Sequence, residues 1–170
     1  MDENAVTAFA LNLASMYGLK TTISWGKIHE YLVMDMDWGT SPGTMILSIV
    51  KYLAKIIEEF PEVLTLTKAA PADDYLLKIQ EDGKKLPNEL ARQFQRTTAQ
   101  LLFLCKRARP GVKTLVSFLT TRVKEPDKDD WSKLNHGLMY LKGALYMKRH
   151  MKADALNIIR WWVDSSYGVH

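Results

Sequence analysis

The sequence predicts a mainly helical α+β protein. An N-terminal helix and a β-hairpin are followed by a helix, a linker, a three-helix bundle and a terminal strand. Three observations predict this class: apolar residues recur at helical spacing in five segments, alternate with period two in one, and run almost unbroken near the C-terminus. With 170 residues, 47% of them hydrophobic, the chain is long enough to build a core for one ordinary domain or two small ones.

The region 1–61 combines a helix, a hairpin and a second helix. The first helix is predicted over 3–17, with its inward side chains at helical spacing. These are Val6, Phe9, Leu13 and Met16. Period-two alternation from Lys27 to Trp38 predicts one half-buried strand, and Thr44–Leu47 is predicted to return as its hairpin partner after a Gly- and Pro-containing turn. Ser48 is the expected cap of a helix that Pro61 ends.

The region 62–87 is rich in charge, Pro and Gly and has no sustained hydrophobic period, which predicts an extended linker. Three helices are predicted after it, and their short connections make them neighbours in a bundle that extends to residue 153. They cover 88–107, 111–123 and 127–148, and Asp127 is the expected cap of the last. In the final region, 154–170, the apolar run 156–163 predicts a strand buried on both faces.

Composition narrows the class of protein. No apolar run approaches the ~20 residues that a membrane span requires, and the N-terminus carries acidic residues where a secretory signal has basic ones. Cys105 is the single cysteine, so an internal disulfide and a multi-cysteine zinc site are excluded. We therefore expect an intracellular protein with no membrane partner.

Charge is distributed unevenly along the chain. Residues 101–170 carry 13 Lys and Arg against 6 Asp and Glu, whereas residues 1–100 carry 10 against 13. A polyanionic partner explains this asymmetry, and so do solvated helix faces. The segment 106–113 concentrates cations between two predicted helices, where they can meet phosphates or stabilise a helix C-terminus. Both interpretations stay open at this stage.

Motifs for autonomous catalysis are missing from the sequence: it has no phosphate-binding Gly-rich loop and no G-x-S-x-G elbow. Asp35 and Asp37 share one predicted strand face, but no third ligand is near in sequence, so tolerated surface acids are favoured over a metal site. Asp164 follows the buried terminal strand. It suits a rigid metal ligand for phosphodiester hydrolysis, and it also suits an ordinary turn before Ser165.

Four stretches of the sequence follow, in order, the pattern of one known family. They are "TTISWGKIHEYLVMDMDW", "GTMILSIVKYLAKIIEEFP", the stretch from "LARQFQ" to "LKGALY", and "IIRWWVDSSYGVH". Taken together, over roughly residues 20–170, they resemble the reverse transcriptase polyprotein of copia-type retrotransposons.

This resemblance implies a role for each region. Residues 1–61 match a partial palm and primer grip, 62–87 a linker, 88–153 a thumb and connection, and 154–170 the start of a truncated ribonuclease H domain. The implied partners are an RNA–DNA hybrid or a DNA template–primer, and the remainder of the polyprotein if present. The implied nucleic-acid-binding residues are Lys27, His29, Tyr31, Lys106, Arg107, Arg109, Lys113 and Arg122.

The resemblance also bears on chemistry. Asp164 matches the first of the ribonuclease H carboxylates that hold two divalent ions, as a vestigial ligand whose partners would follow residue 170. The polymerase Y-x-D-D hairpin of the family precedes the matching region. We therefore expect a fragment of an RNA-directed DNA polymerase polyprotein that is inactive alone and needs no cofactor, although the parent family uses Mg²⁺. The alternative is a non-catalytic nucleic-acid-binding helical module.

Two positions depart from the family pattern. Val33 stands where the pattern has Gly, which is expected to hinder a close backbone approach. Gly111 stands where the pattern has Asp, which is expected to remove a cap from the following helix at a small energetic cost.

Overall fold

Five α-helices and one four-stranded antiparallel sheet form an α+β architecture in the computed structural model, which describes residues 3–18, 23–155 and 157–159. The helices are α1 (Glu3–Tyr17), α2 (Val50–Glu58), α3 (Asn88–Arg107), α4 (Lys113–Arg122) and α5 (Lys128–Gly143). The strands are β1 (Ile28–Tyr31), β2 (Met34–Asp37), β3 (Thr44–Ser48) and β4 (Arg149–Lys152), paired in the order β1-β2-β3-β4. The predicted fold class, α+β and mainly helical, is confirmed.

The first hairpin corrects the sequence prediction of a single strand from Lys27 to Trp38. Its two strands pair with Tyr31 opposite Met34, which leaves Leu32 and Val33 as a two-residue turn. Both turn residues have positive φ, at 47° and 60°. The single-strand prediction is wrong because Leu and Val are typical strand residues, and no Asn-Gly pair marks the turn. The glycine of the family pattern would suit this positive φ at position 33.

The second hairpin is confirmed: β2 and β3 pair in antiparallel register, with Met36 opposite Leu47. Ser48, however, does not cap α2. It is the last residue of β3 and lies opposite Asp35 in the ladder, so the N-cap position falls to Ile49, which makes no side-chain cap hydrogen bond.

The sheet is completed by β4, a strand that the sequence did not predict. Residues 149–152 pair antiparallel with β3, and α5 ends at Gly143 instead of continuing to residue 148 as predicted. The strand has no apolar period to reveal it, because it is an exposed edge strand of sequence RHMK. Of the terminal strand predicted over 156–163, residues 157–159 are not in a strand, and the others lie outside the described residues.

One hydrophobic cluster joins the sheet to the bundle. Its fully buried side chains include Leu53 on α2, Phe94 on α3, Leu119 on α4 and Leu138 on α5, and it extends to Met34 on β2. The inward face predicted for α1 is wrong, because Phe9 is 65% exposed. Met16, also predicted inward, is exposed as well.

The segment 62–87 is packed onto α5 rather than free. Apart from a bridge between Lys85 and Asp127 it has neither helix nor strand, but Leu64 and Leu76 are buried in the shared cluster. Glu62 accepts hydrogen bonds from Trp131 Nε1 and Asn135 Nδ2 of α5, both at 2.6 Å. The extended path predicted for this linker is therefore fixed by contacts with the bundle.

The start of α5 carries a complete capping box, as the prediction for Asp127 required. Asp127 Oδ1 accepts the backbone N–H groups of Asp129 and Asp130 at 2.8 Å, and Asp130 Oδ2 accepts that of Asp127 at 3.0 Å. Both aspartates are buried. The reciprocal bonds fix where α5 begins.

Candidate nucleic-acid interface

The three bundle helices alternate in direction, so each end of the bundle brings together specific termini. Arg109, just after α3, donates from Nη2 to the carbonyl oxygens of Ala144 and Leu145, just after α5, at 2.7 and 2.6 Å. At the other end, Leu86 N donates to Pro126 O at 3.0 Å. One end therefore contains the end of α3, the start of α4 and the end of α5.

Cations are concentrated at that end, which we call the basic end and define by five side chains. They are Lys106 and Arg107 on the last turn of α3, Lys113 on the first turn of α4, Lys148 just before β4, and Arg149 at the start of β4. Among the described residues, none of these five forms an ion pair with a carboxylate. Their charge is therefore available to an external anion.

Two arginines of the basic end are held in place by neutral groups. The Arg107 guanidinium lies over the Phe103 ring, 3.6 Å from its centroid. Arg149 donates from Nη1 to the backbone oxygen of Arg107 at 2.9 Å, which ties β4 to the end of α3. These contacts orient the two arginines without neutralising them.

Arg109 has a different role from the one predicted for it. It is 5% exposed, and its two bonds to carbonyl oxygens close the C-terminal turn of α5. Burial lowers the pKa of this guanidinium, since desolvation disfavours its charged form. A buried guanidinium cannot reach a phosphate on the surface, so Arg109 supports the structure of the basic end and adds no exposed charge to it.

Arg122 lies at the opposite end of the bundle. Its Nε donates to both carboxylate oxygens of Asp130 at 3.1 Å, and its Nη2 lies 3.6 Å from Asp127. Burial raises the pKa of Asp130, although the Asp127 N–H and Arg122 act in the other direction. The structure thus separates Arg122 from the other predicted cations and uses its charge to compensate buried carboxylates.

The predicted hairpin residues occupy the other edge of the sheet. His29, Met36, Leu47 and Arg149 are successive cross-strand partners, so His29 and Arg149 lie in one row on the same face. Three strand spacings of about 4.8 Å put roughly 14 Å between them. Tyr31 shares this face and is 58% exposed. The hairpin and the basic end thus lie at opposite margins of one sheet face.

Within the hairpin, His29 is engaged locally. Its Nε2 lies 2.9 Å from Gly26 O and its Nδ1 lies 3.2 Å from Ser24 Oγ. Lys27 comes just before β1, where its carbonyl oxygen accepts Trp38 N at 2.8 Å. Lys27 is exposed, so its ammonium group remains available at the β1 edge.

Sequence reasoning did not include Lys148 and Arg149 among the candidate binding residues. The helix was predicted to run to residue 148, so the turn after Gly143 that returns the chain beside Arg107 was not predicted. The local sequence MKRHMK carried a signal, since four of its six residues are basic or histidine. Only the pairing of β4 with β3 shows that these cations join those of α3 and α4.

The predicted metal ligand, Asp164, lies outside the described residues. Within the described part of the chain, no three His, Cys, Asp or Glu side chains are grouped to hold a metal ion. Asp35 lies 3.9 Å from Lys51 Nζ, and Asp37 accepts Gly39 N at 2.7 Å. These contacts account for both carboxylates of the first hairpin as structural groups.

Comparisons with protein-family models, with curated proteins and with solved structures give no match for this chain. No helix in the described ranges is both long enough and apolar enough to cross a membrane.

Proposed function

We propose that this chain is the part of a copia-type reverse transcriptase polyprotein that holds the template–primer, and that its own role is binding nucleic acid. The basic end would contact the sugar–phosphate backbone of a DNA duplex or an RNA–DNA hybrid. The observation that carries the proposal is the convergence of five cations from three separate segments without a carboxylate partner among the described residues.

Several cations elsewhere in the described residues pair with carboxylates, and the lysines at the opposite end of the bundle that form no ion pair alternate with acidic residues along the chain. Lys85 pairs with Glu125 at 2.9 Å, Arg96 with Glu59 at 2.8 Å, and Lys133 with Asp129 at 2.7 Å. A cluster of cations without carboxylate partners creates a positive potential that attracts a polyanion.

Binding of this kind depends on salt and is insensitive to sequence. Each phosphate that a cation neutralises releases condensed counterions, so the logarithm of the affinity falls linearly with the logarithm of the salt concentration. If all five cations of the basic end meet phosphates, the slope for a duplex is about −4 to −5. The proposal assigns no bond-making chemistry to this chain, because the resemblance covers the region that follows the polymerase active site.

The test compares two triple variants that remove the same charge from opposite ends of the bundle. The first variant combines Lys106→Gln, Lys113→Gln and Lys148→Gln. The control combines Lys84→Gln, Lys124→Gln and Lys128→Gln, all exposed residues near the start of α3 and of α5. A labelled RNA–DNA hybrid is titrated with each protein at several salt concentrations, and the slope and affinity are measured.

We expect the first variant to bind at least about tenfold more weakly at low salt, with a slope shallower by about 3, because each lysine contributes one phosphate contact. The control should keep the wild-type slope. Equal losses in both variants would show that net charge matters and position does not. An absence of hybrid binding by the wild-type protein would refute the proposed function.

A further inference from the structure

A cleft of about 200 Å³ opens beside the basic end. It lies between the 3-10 turn Pro110–Val112, the last turns of α5 and the segment that leads into β4. Its walls are largely apolar, formed by Val112, Tyr140, Leu141 and Met147. The cleft is therefore a largely apolar recess next to a cationic surface.

The cleft is lined by two cations of the protein surface and by one buried arginine. Lys148 and Arg149, which belong to the basic end, contribute to its wall. Arg109 also lines it, with its guanidinium fixed by the carbonyl oxygens of Ala144 and Leu145 and its buried Nε without a hydrogen-bond partner in the described residues. The cleft thus has two surface cations in its wall that would hold phosphates, and the nearly buried Arg109 fixes the chain that shapes it.

The combination of walls and charge selects a class of ligand. The volume is below the ~300 Å³ at which pockets for drug-sized molecules begin, which suits a single planar ring system. Apolar and aromatic surfaces stack on nucleobases, and flanking cations bind the adjoining phosphates. A base inside a duplex cannot enter such a recess, so the ligand must be unpaired.

We propose that this cleft receives an unpaired nucleobase of the strand that the basic end holds, so that the protein prefers a duplex with a single-stranded overhang to a blunt one. This inference rests on the proposed function, because the basic end must bring the nucleic acid to the cleft. It adds a contact that depends on stacking, beyond the electrostatic contacts of the lysines.

Gly111 offers a way to close the cleft without disturbing the fold. It lines the cleft, and a Cβ atom built on it meets no atom within 4 Å. Gly111→Phe therefore has room for its first carbon, and we expect its ring to cover the recess, while Gly111→Ala is the matched control that leaves the recess open. Circular dichroism melts of both variants check that they fold.

The experiment titrates the wild-type protein and both variants with a blunt RNA–DNA hybrid and with the same hybrid carrying an overhang, whose unpaired base is 2-aminopurine. For the wild type and Gly111→Ala we expect the hybrid with the overhang to bind about five- to tenfold more tightly, which is the gain in affinity from one weakly stacked base. We also expect a change in 2-aminopurine fluorescence when this hybrid binds. Gly111→Phe should lose both effects and keep the blunt-hybrid affinity and salt slope.

Each other outcome overturns the inference. If the wild-type protein binds both hybrids with equal affinity and a normal salt slope, the binding of an unpaired base in the cleft is refuted, whereas the proposed function is still supported. An overhang preference that survives in Gly111→Phe places the contact elsewhere. If neither hybrid binds at any salt concentration, the proposed function and this inference both fail.

Discussion

Leu32 and Val33 turn the first hairpin with φ angles of 47° and 60°. In this left-handed region an L residue with a Cβ atom is disfavoured by about 1–2 kcal/mol, and a β-branched residue is an outlier there. Val33→Gly should therefore raise the free energy of unfolding by about 1 kcal/mol, after allowance for the greater entropy of glycine in the unfolded chain. Urea denaturation at neutral pH measures the difference.

Val63→Gly is the matched control for this substitution. Val63 is 86% exposed in the irregular segment after α2 and does not have positive φ. The control should bring no gain in stability, because it adds glycine entropy without relieving strain. A loss of stability in Val33→Gly as large as in the control would contradict the assignment of strain to the turn.

Other single residues show what residue types alone cannot reveal. Lys106 and Arg109 are three positions apart, and the sequence predicted both as phosphate contacts. The first is exposed, and the second is buried against two carbonyl oxygens just after α5, which lie more than thirty positions later in the chain. Such a difference depends on tertiary packing, which the sequence spacing of the cations does not encode.

At the scale of elements, the capping box of α5 is the local feature with the clearest energetic consequence. Asp127→Ala removes the acceptor of two backbone N–H groups at a buried helix start. The free energy of unfolding should fall by about 1–2 kcal/mol, as for other N-cap deletions. Chemical denaturation followed by circular dichroism measures it.

The conservative change Asp127→Asn keeps an oxygen that can accept these bonds and should retain most of the stability. If Asn destabilised the protein as much as Ala, the ion pair with Arg122 would be the main contribution and the cap a minor one.

Elements with a strong apolar period were predicted well, and those without one were not. The bounds of α3 match the prediction because its buried residues, including Phe94 and Leu101, recur along one face. The strand β4 was missed because it is short, polar and exposed, and the turn at Leu32 was missed because strand-forming residues occupy it. The resemblance supplied the glycine expected at position 33, which pointed to a special backbone position without identifying it as a turn.

At the scale of the whole molecule, the sheet and the bundle share one core. The cluster passes from Met34 on β2 through Leu53 on α2 to the bundle helices, and β4 returns from the bundle to pair with β3. We therefore expect the sheet, α2 and the three bundle helices to unfold together in a single transition. Tryptophan fluorescence, to which buried Trp131 contributes, and far-UV circular dichroism should give the same urea midpoint.

Two separated transitions would contradict a shared core. They would instead support a division at the segment 62–87 into independently folding units. Because Glu62 bonds to α5 through Trp131 and Asn135, a variant Glu62→Ala should lower the common midpoint without splitting the transition.

The candidate interface could be predicted in part at this scale. The excess of cations after residue 100 is visible in the sequence, and Lys106, Arg107 and Lys113 were identified from it. Their proximity to Lys148 and Arg149 could not be predicted, because it depends on the alternating directions of the helices and on the return of the chain as β4. The sequence gives the charges, and the topology brings them to one end of the bundle.

The central claim, that the basic end holds phosphates, is tested most directly by lysine protection in the wild-type protein. The protein is acetylated briefly with and without excess RNA–DNA hybrid at low salt, and modification of each lysine is quantified by mass spectrometry. We predict that the hybrid protects Lys106, Lys113 and Lys148 and leaves the exposed lysines of the other end, Lys84, Lys124 and Lys128, as reactive as before. Equal reactivity of the first three with and without the hybrid, or protection confined to the other end, would contradict the account.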